Sequence, residues 1–271
     1  GGVVLNSVDS IVISKYLGLT ILGKYNNYYY VITAIFGFLQ IITNAMVAGV
    51  GNSIETETIE KNYKDFTKLN FLQSWLIIWC ASCLITLYQP FIKLWVGQEN
   101  CFGFGIVICF VIYFYVWKMM DIINLYKEAA GLWEFDKYRP IVASIVNLII
   151  NVILVQKIGL YGIIISTIVS IVFIIFPWSS FILFREYFKG RYSEYLKKYI
   201  LISIQAMITI VISFTIINKI NIENEKVSFI LKCILCIVVP NFIFVILNFK
   251  NKALKDSVMW ISSKFTRRAN D

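Results

Sequence analysis

Residues 160–184, LYGIIISTIVSIVFIIFPWSSFILF, contain no charged side chain. A helix needs about 20 mostly apolar residues to cross the hydrocarbon core of a bilayer, so this run is long enough to span one. Inside lipid the backbone amides must find partners within the segment, which a helix provides. The stretch therefore predicts a membrane-spanning helix, and we expect Pro177 to kink it.

Seven comparable runs surround this stretch. The eight predicted spans are residues 2–17, 28–50, 71–87, 102–124, 141–155, 160–184, 199–217 and 227–249, and a polar tail follows at 250–271. The connection at 54–68 carries the i,i+4 pairs Glu57/Lys61 and Glu60/Lys64 and an apolar face, which predicts an amphipathic helix on the membrane surface. The pattern indicates an all-α, polytopic integral membrane protein with about eight spans.

Composition supports this fold class. Hydrophobic residues make up 59% of the 271 positions and charged residues 15%, and the mean hydropathy is +0.74. Soluble domains carry roughly 25% charged residues. The surplus apolar surface exceeds what one soluble core would hide, so the lipid bilayer is the expected partner of the chain.

The net charge of +9 is distributed unevenly between the connections. One alternate set, together with the tail, holds seventeen basic residues: Lys61, Lys64, Lys68, Lys127, Lys137, Arg139, Arg185, Lys189, Arg191, Lys197, Lys198, Lys250, Lys252, Lys255, Lys264, Arg267 and Arg268. The opposite set holds five: Lys24, Lys93, Lys157, Lys219 and Lys226. The positive-inside rule then predicts that both chain ends are cytoplasmic. Since membrane topology explains these charges, we do not expect a nucleic acid as a partner.

Nothing in the sequence indicates a reaction centre. The chain has no histidine, the commonest general base and metal ligand. Cys80/Cys83 and Cys233/Cys236 have the C-x-x-C spacing of redox or zinc motifs, but each pair lies within an apolar run. We interpret them as small helix-facing residues, and we expect neither an enzyme nor a metal site or cofactor.

Polar residues inside the first span form the first candidate site. Asn6, Ser7, Asp9, Ser10 and Ser14 cover one broad arc of a helix. An ionisable residue within a span is a functional hypothesis by default, so Asp9 is a candidate for an ion, a proton or a cation from another helix. The alternative is a structural hydrogen-bond seam between helices.

The second candidate site is the segment that begins at Lys15. It contains Tyr25, Asn26 and Asn27, followed by three further tyrosines. The tyrosines fit an aromatic belt at the membrane interface. Tyrosine and asparagine together also suit contacts with a sugar, so both interpretations stay open.

The third candidate site lies at the end of the fourth span. Lys118 and Asp121 are spaced to pair at i,i+3, and Asp121, Asn124 and Glu128 share a helix face. Alternatively, Lys118 reaches the cytoplasmic interface by snorkelling. Asn147 and Asn151, four residues apart in the fifth span, form a further polar ridge of the same kind.

Two stretches resemble the bacterial polysaccharide flippase family, of the same superfamily as multidrug-and-toxin-extrusion transporters. They are residues 5–29, LNSVDSIVISKYLGLTILGKYNNYY, and residues 128–170, EAAGLWEFDKYRPIVASIVNLIINVILVQKIGLYGIIISTIVS. Such proteins have two six-helix lobes, sometimes followed by two extra helices. The resemblance implies that residues 1–191 are the second lobe, that residues 192–271 are the extra helices with a basic tail, and that the first lobe is absent.

The resemblance also implies a function. It is the flipping of an undecaprenyl-pyrophosphate-linked oligosaccharide across the bacterial cytoplasmic membrane by alternating access, for capsule or O-antigen biosynthesis. Polysaccharide polymerase and glycosyltransferases would be partners, and Na+ or H+ would be the coupling ion. Asp9 and Asn6 would line the cavity, Lys15 or Lys118 would meet the pyrophosphate, and Asn26 would contact sugar. The alternatives are a small-molecule or multidrug exporter of the same fold and, less favoured, a membrane polysaccharide polymerase.

Overall fold

The computed structural model describes residues 2–220, 222–251 and 254, with side chains from residue 7 onward in these ranges. These residues form eleven α-helices and no strand, with a 3-10 turn at Gln98–Asn100 and π-helical segments at Ile171–Ile175 and Leu183–Tyr187. The α-helices are α1 (Gly2–Tyr16), α2 (Leu19–Thr56), α3 (Ile59–Val96), α4 (Phe104–Lys118), α5 (Asp121–Ala129), α6 (Trp133–Asp136), α7 (Arg139–Ile158), α8 (Leu160–Ser170), α9 (Phe176–Ile182), α10 (Tyr192–Asn218) and α11 (Glu225–Asn248). The predicted all-α class is confirmed.

Seven helical stretches within the described ranges are long and apolar enough to cross a bilayer. They correspond to predicted spans two to eight: Leu19–Thr56, Ile59–Val96, Phe104–Ala129, Trp133–Ile158, Leu160–Tyr187, Tyr192–Asn218 and Glu225–Asn248. The first predicted span forms α1, of which the structure describes the 15 residues Gly2–Tyr16. The chain is a multi-pass membrane protein in which α1 packs beside the full-length spans.

The predicted surface helix at 54–68 is wrong. Thr58 caps α3, its Oγ1 accepting from the Lys61 backbone N–H at 3.3 Å, and α3 then runs unbroken for 38 residues. At 1.5 Å per residue α3 is about 57 Å long, well beyond the about 30 Å of the hydrocarbon core. The apolar face of its first turns is buried by protein, because Tyr63 and Phe66 both pack on Phe184 and Phe188.

The span Leu160–Tyr187 changes its hydrogen-bond pattern around Pro177. The π-helical segment Ile171–Ile175 ends two residues before this proline. Proline has no N–H to donate to the carbonyl four residues earlier, and a wider π turn is one way for a helix to absorb that loss. The irregularity expected at Pro177 is thus a π-helical insertion.

Helix α3 joins two parts of the bundle. It contacts α4 on one side and α10 and α11 on the other, whereas α1 packs on α7 and α8. Two indole N–H groups of α3 reach α11: Trp75 donates to Asn241 Oδ1 and Trp79 to the Cys236 carbonyl, both at 2.8 Å. The last two helices therefore attach to the rest of the chain largely through α3, and α10 also contacts α4 through Tyr115 and Ser203 and α9 through Phe176 and Tyr199.

Contacts between connections show which of them share an end of the bundle. Arg191, before α10, pairs with Glu60 at the start of α3 at 2.7 Å. At the other end, Lys93 near the end of α3 pairs with Glu225 at the start of α11. Connections that the charge bias assigned to one side therefore do lie together. Most of the predicted tail, 250–271, falls outside the described residues.

Candidate functional site

Five buried polar side chains meet where three helices pack. Asp9 comes from α1, Asn147 and Asn151 from α7, and Ser166 and Thr167 from α8. None of the five is more than 2% exposed. We call this group the Asp9 cluster.

Two glycines bring α7 and α8 close enough to form the Asp9 cluster. Gly159 adopts a positive φ of 57°, which L-residues with a side chain rarely adopt, and it turns the chain between the two helices. At Gly162 a Cβ atom would lie 2.5 Å from the backbone of Leu154. Hydrogen in place of a side chain lets the helices approach, and the polar residues of α8 then face the asparagine ridge of α7.

Both carboxylate oxygens of Asp9 accept hydrogen bonds from neutral donors. Asn151 Nδ2 donates to Oδ1 at 2.6 Å, and Thr167 Oγ1 donates to Oδ2 at 3.1 Å. Hydrogen bonds of this kind stabilise the ionised form of a carboxylate. They fix α1 to α7 and α8 at one point.

The other members of the cluster satisfy one another. Ser166 Oγ donates to Asn151 Oδ1 at 2.8 Å, and Asn147 Nδ2 donates to Thr167 Oγ1 at 3.2 Å. Asn151 Nδ2 also lies 3.4 Å from Asn147 Oδ1. The network is therefore closed across three helices, and such buried networks specify one arrangement of their elements.

The Asp9 cluster lacks a positive charge. Among the described residues, no lysine or arginine forms an ion pair with Asp9. The groups in electrostatic range are the phenols of Tyr25, Tyr29 and Tyr113. An ionised carboxylate away from water needs a partner charge, because hydrogen bonds alone do not replace its hydration. A proton or a bound cation would supply that neutralisation.

The donor set suits a hard monovalent cation or a proton better than a transition metal. It offers one carboxylate, two amide oxygens and two hydroxyl oxygens, and oxygen ligands suit hard cations. Turning an asparagine amide about its last bond exchanges a donor for an oxygen ligand. Within the described part of the chain, no group of three or more His, Cys, Asp or Glu side chains has metal-binding geometry.

The structure brings together three of the residues singled out from sequence, namely Asp9, Asn147 and Asn151. The polar arc predicted on α1 is only partly turned inward, since Ser7 is exposed and Ser10 and Ser14 are half-buried. The Asn6 side chain lies outside the described residues. The cavity-lining and hydrogen-bond-seam interpretations were made for the whole arc, and within it Asp9 is the residue that bonds α7 and α8.

The second candidate site is divided. Lys15 is exposed, with its ammonium 5.7 Å from the Tyr16 ring centroid, and Asn26 is exposed as well. Tyr25 instead lies in the core, 5.9 Å from the Tyr29 ring and 5.5 Å from the Phe110 ring. Tyr25 therefore belongs with the surroundings of the Asp9 cluster, whereas Lys15 and Asn26 do not.

At the third candidate site the predicted pair forms. Lys118 Nζ lies 2.5 Å from Asp121 Oδ2, and Gln73 donates to the same oxygen at 3.3 Å. Lys118 is only 2% exposed and sits over the Phe36 ring, so it does not snorkel. Glu128 is exposed and does not join the group, because α5 turns that side chain outward.

Sequence reasoning missed the α8 contribution and a second buried charge group. Ser166 and Thr167 stood within an apolar run, and only their position opposite Asn147 and Asn151 gives them a role. Lys127 and Arg139, which had been assigned to cytoplasmic connections, also meet Asp136 inside the protein. Asp136 accepts from Lys127 at 2.5 Å and from Arg139 at 2.7 and 2.9 Å. The spacing of Asp136 and Arg139, i,i+3, was the available signal.

No protein-family model matches the chain, and no curated protein or solved structure matches it either. The functional conclusion therefore depends on the arrangement of the chain's own residues and on the resemblance described above.

Proposed function

We propose that this chain belongs to a transporter that flips a lipid-linked oligosaccharide across the bacterial cytoplasmic membrane. The observation that carries the proposal is the Asp9 carboxylate, buried at 2% exposure within a helical membrane bundle and held only by neutral donors. A charge in the centre of a span costs about 2.5–3.5 kcal/mol on insertion scales. Such a group is retained where ions or polar cargo cross.

The Asp9 cluster is proposed as the coupling site. A proton or Na+ at Asp9 would neutralise the carboxylate and change its hydrogen bonds with Asn151 and Thr167. Because these bonds tie α1 to α7 and α8, the state of Asp9 biases how the three helices pack. Alternating access requires such a bias, since a ligand shifts a conformational equilibrium only by its different affinity for the two states.

The proposed substrate is an undecaprenyl-pyrophosphate-linked oligosaccharide. It is supported by the resemblance of residues 5–29 and 128–170 to polysaccharide flippases. The chemistry agrees, because the lipid tail can remain in the bilayer while a hydrated glycan needs a polar path. In this proposal both chain ends are cytoplasmic, glycosyltransferases supply the substrate and a polysaccharide polymerase consumes it.

The test is translocation of the lipid-linked oligosaccharide in proteoliposomes that contain the complete two-lobe transporter to which this chain would belong. Transport should require an inward Na+ or proton gradient, and Asp9→Asn should abolish it. Asp65→Asn, which neutralises a half-buried acid that pairs with Lys68 at 3.5 Å, is the control and should transport normally. Transport by Asp9→Asn at the unaltered rate would remove the proposal.

A small-molecule exporter of the same fold is the second candidate. It is favoured by the aromatic surroundings of Asp9, where the Tyr25 and Phe110 ring centroids lie 5.5 Å apart. A buried acid beside aromatic rings suits organic cations. Binding of a cationic dye discriminates between the two, because only the exporter should bind the dye with an affinity that Asp9→Asn lowers.

A further inference from the structure

A cavity of about 630 Å³ opens between α3 and α11, at the end of the bundle where Lys93 and Glu225 pair. Its walls are the last two turns of α3, the 3-10 turn and the first turns of α11. Ligand sites for small molecules usually enclose about 300–1,000 Å³, so the size fits. None of its lining residues belongs to the Asp9 cluster, which lies on α1, α7 and α8.

The neutral groups of the cavity combine one aromatic face with several donors and acceptors. Phe229 supplies the ring, and Gln89, Gln98 and Ser228 supply amide and hydroxyl groups. An amide or hydroxyl both donates and accepts, which suits a ligand that does the same at many positions. A sugar is such a ligand, since its hydroxyls need both kinds of partner and its C–H face packs on an aromatic ring.

The charges of the cavity balance. Lys93 and Lys232 oppose Glu223 and Glu225 in the lining. Lys93 pairs with Glu225, and Lys232 Nζ donates to Asn218 Oδ1 at 3.0 Å. A lining with no net charge does not select a phosphate or an organic cation. It leaves a neutral polar ligand as the best match.

One wall is held in place by buried contacts. Gln89 Oε1 accepts from the Tyr28 hydroxyl at 2.8 Å, and its amide N–H donates to the Phe102 carbonyl. Phe229 packs beside Phe91 with ring centroids 6.4 Å apart. The ion pair that bridges the two walls is exposed, at 41% for Lys93 and 58% for Glu225, so it is weak and opens readily.

We propose that the cavity between α3 and α11 is a saccharide-binding site that holds the uncharged part of a lipid-linked oligosaccharide. The inference rests on the proposed function for the source of the sugar, and it assigns that sugar to a site separate from the Asp9 cluster. Phe229 stacks on a sugar ring, and Gln98 and Ser228 bond its hydroxyls, while Gln89 holds the wall through its bonds to Tyr28 and Phe102.

The experiment measures binding to the purified protein in lipid nanodiscs. The probes are the oligosaccharide released by mild acid from the carrier lipid of the expressing cells, the intact lipid-linked form, and inorganic phosphate. We expect both saccharide probes to bind, with the lipid-linked form tighter, and phosphate at millimolar concentration not to compete. Competition by phosphate would overturn a neutral-sugar site.

Two variants locate the binding. Phe229→Ala and Gln98→Ala should each weaken the affinity for the released oligosaccharide at least tenfold. Phe242→Ala, which removes an exposed ring farther along α11, should leave it unchanged. Gln98 is exposed on a short turn, so its replacement tests the site even if Phe229→Ala lowers stability. Equal affinities in Gln98→Ala, Phe242→Ala and the unaltered protein would overturn the assignment.

Failure of this inference and failure of the proposed function have different outcomes. Asp9→Asn should bind the oligosaccharide normally while losing transport. Binding that depends on Gln98 in a protein that does not transport would support the saccharide site and remove the flippase. Transport by a protein whose oligosaccharide binding does not depend on Gln98 would support the flippase and overturn the saccharide site.

Discussion

Asp9 on α1 and Asn151 on α7 are 142 positions apart in the chain, and a hydrogen bond of 2.6 Å joins their buried side chains. The same asparagine accepts from Ser166 on α8 at 2.8 Å. One amide therefore connects three helices. Replacement of any one partner leaves a buried polar atom without its bond, which makes the contribution of the cluster measurable.

Asn151→Ala should destabilise the protein. It leaves Asp9 Oδ1 and the Ser166 hydroxyl without this partner, and a buried unsatisfied polar group costs about 1–3 kcal/mol. Thermal unfolding in detergent, followed by tryptophan fluorescence, should show a clearly lower midpoint. Asn26→Ala, at an exposed position, is the matched control and should unfold like the unaltered protein. Equal midpoints for the two variants would show that the network contributes nothing.

Asp9→Asn should separate stability from transport. It removes a buried charge that has no cationic partner among the described residues while keeping a group that can bond Asn151 and Thr167. The free energy of unfolding should stay the same or rise, as often happens where a functional site is strained. The same variant should lose transport. A marked fall in the unfolding midpoint would instead indicate that Asp9 is a structural residue.

Hydropathy was sufficient to predict most of the spans, because insertion into lipid depends on a local run of apolar residues. It was not sufficient for the segment 54–68. An amphipathic face has the same pattern whether lipid or protein covers it, and here Phe184 and Phe188 cover Tyr63 and Phe66. Only the tertiary structure distinguishes the two cases.

For the candidate site, too, the sequence predicted individual residues but not the contacts between them. Asn147 and Asn151 share a helix face because of their spacing, and Asp9 stood out as a charge in a span. Their meeting depends on how α1 is rotated against α7, which no local pattern specifies. The burial of Lys118 likewise depends on Phe36 and Gln73, both distant in sequence.

Gly162→Ala should push α7 and α8 apart. The new methyl group would lie 2.5 Å from the Leu154 backbone, which has to move. Overpacking of this kind typically costs about 1–3 kcal/mol. Gly37→Ala in α2 is the control, since nothing lies within 4 Å of its Cβ position. That control should stabilise the protein by about 0.5–1 kcal/mol, because alanine is the better helix former. An unchanged free energy of unfolding in Gly162→Ala would contradict the close approach of α7 and α8.

Asp136→Ala should be among the most damaging single substitutions. It leaves the ammonium of Lys127, which is 4% exposed, and the guanidinium of Arg139 without their shared carboxylate. Breaking a buried ion pair by removing one partner typically costs about 3–5 kcal/mol. The yield of folded protein by size-exclusion chromatography should fall sharply. Glu134→Ala, at an exposed position in the same short helix, should behave like the unaltered protein.

Cys101 lies in the lining of the α3–α11 cavity, between two spans, and should report on the side of the membrane that the cavity faces. Burial raises the pKa of the Cys101 thiol above its usual value. The thiolate is the reactive form, so formation of a mixed disulfide with a methanethiosulfonate reagent should be slow at pH 7, and its rate should rise about tenfold per pH unit towards pH 9. A membrane-impermeant methanethiosulfonate reagent should label it from outside intact cells, with Cys101→Ser as the control. Added oligosaccharide should slow the labelling. The positive-inside rule predicts that this end of the bundle faces outside. Labelling only from the cytoplasmic side would therefore reverse the predicted orientation.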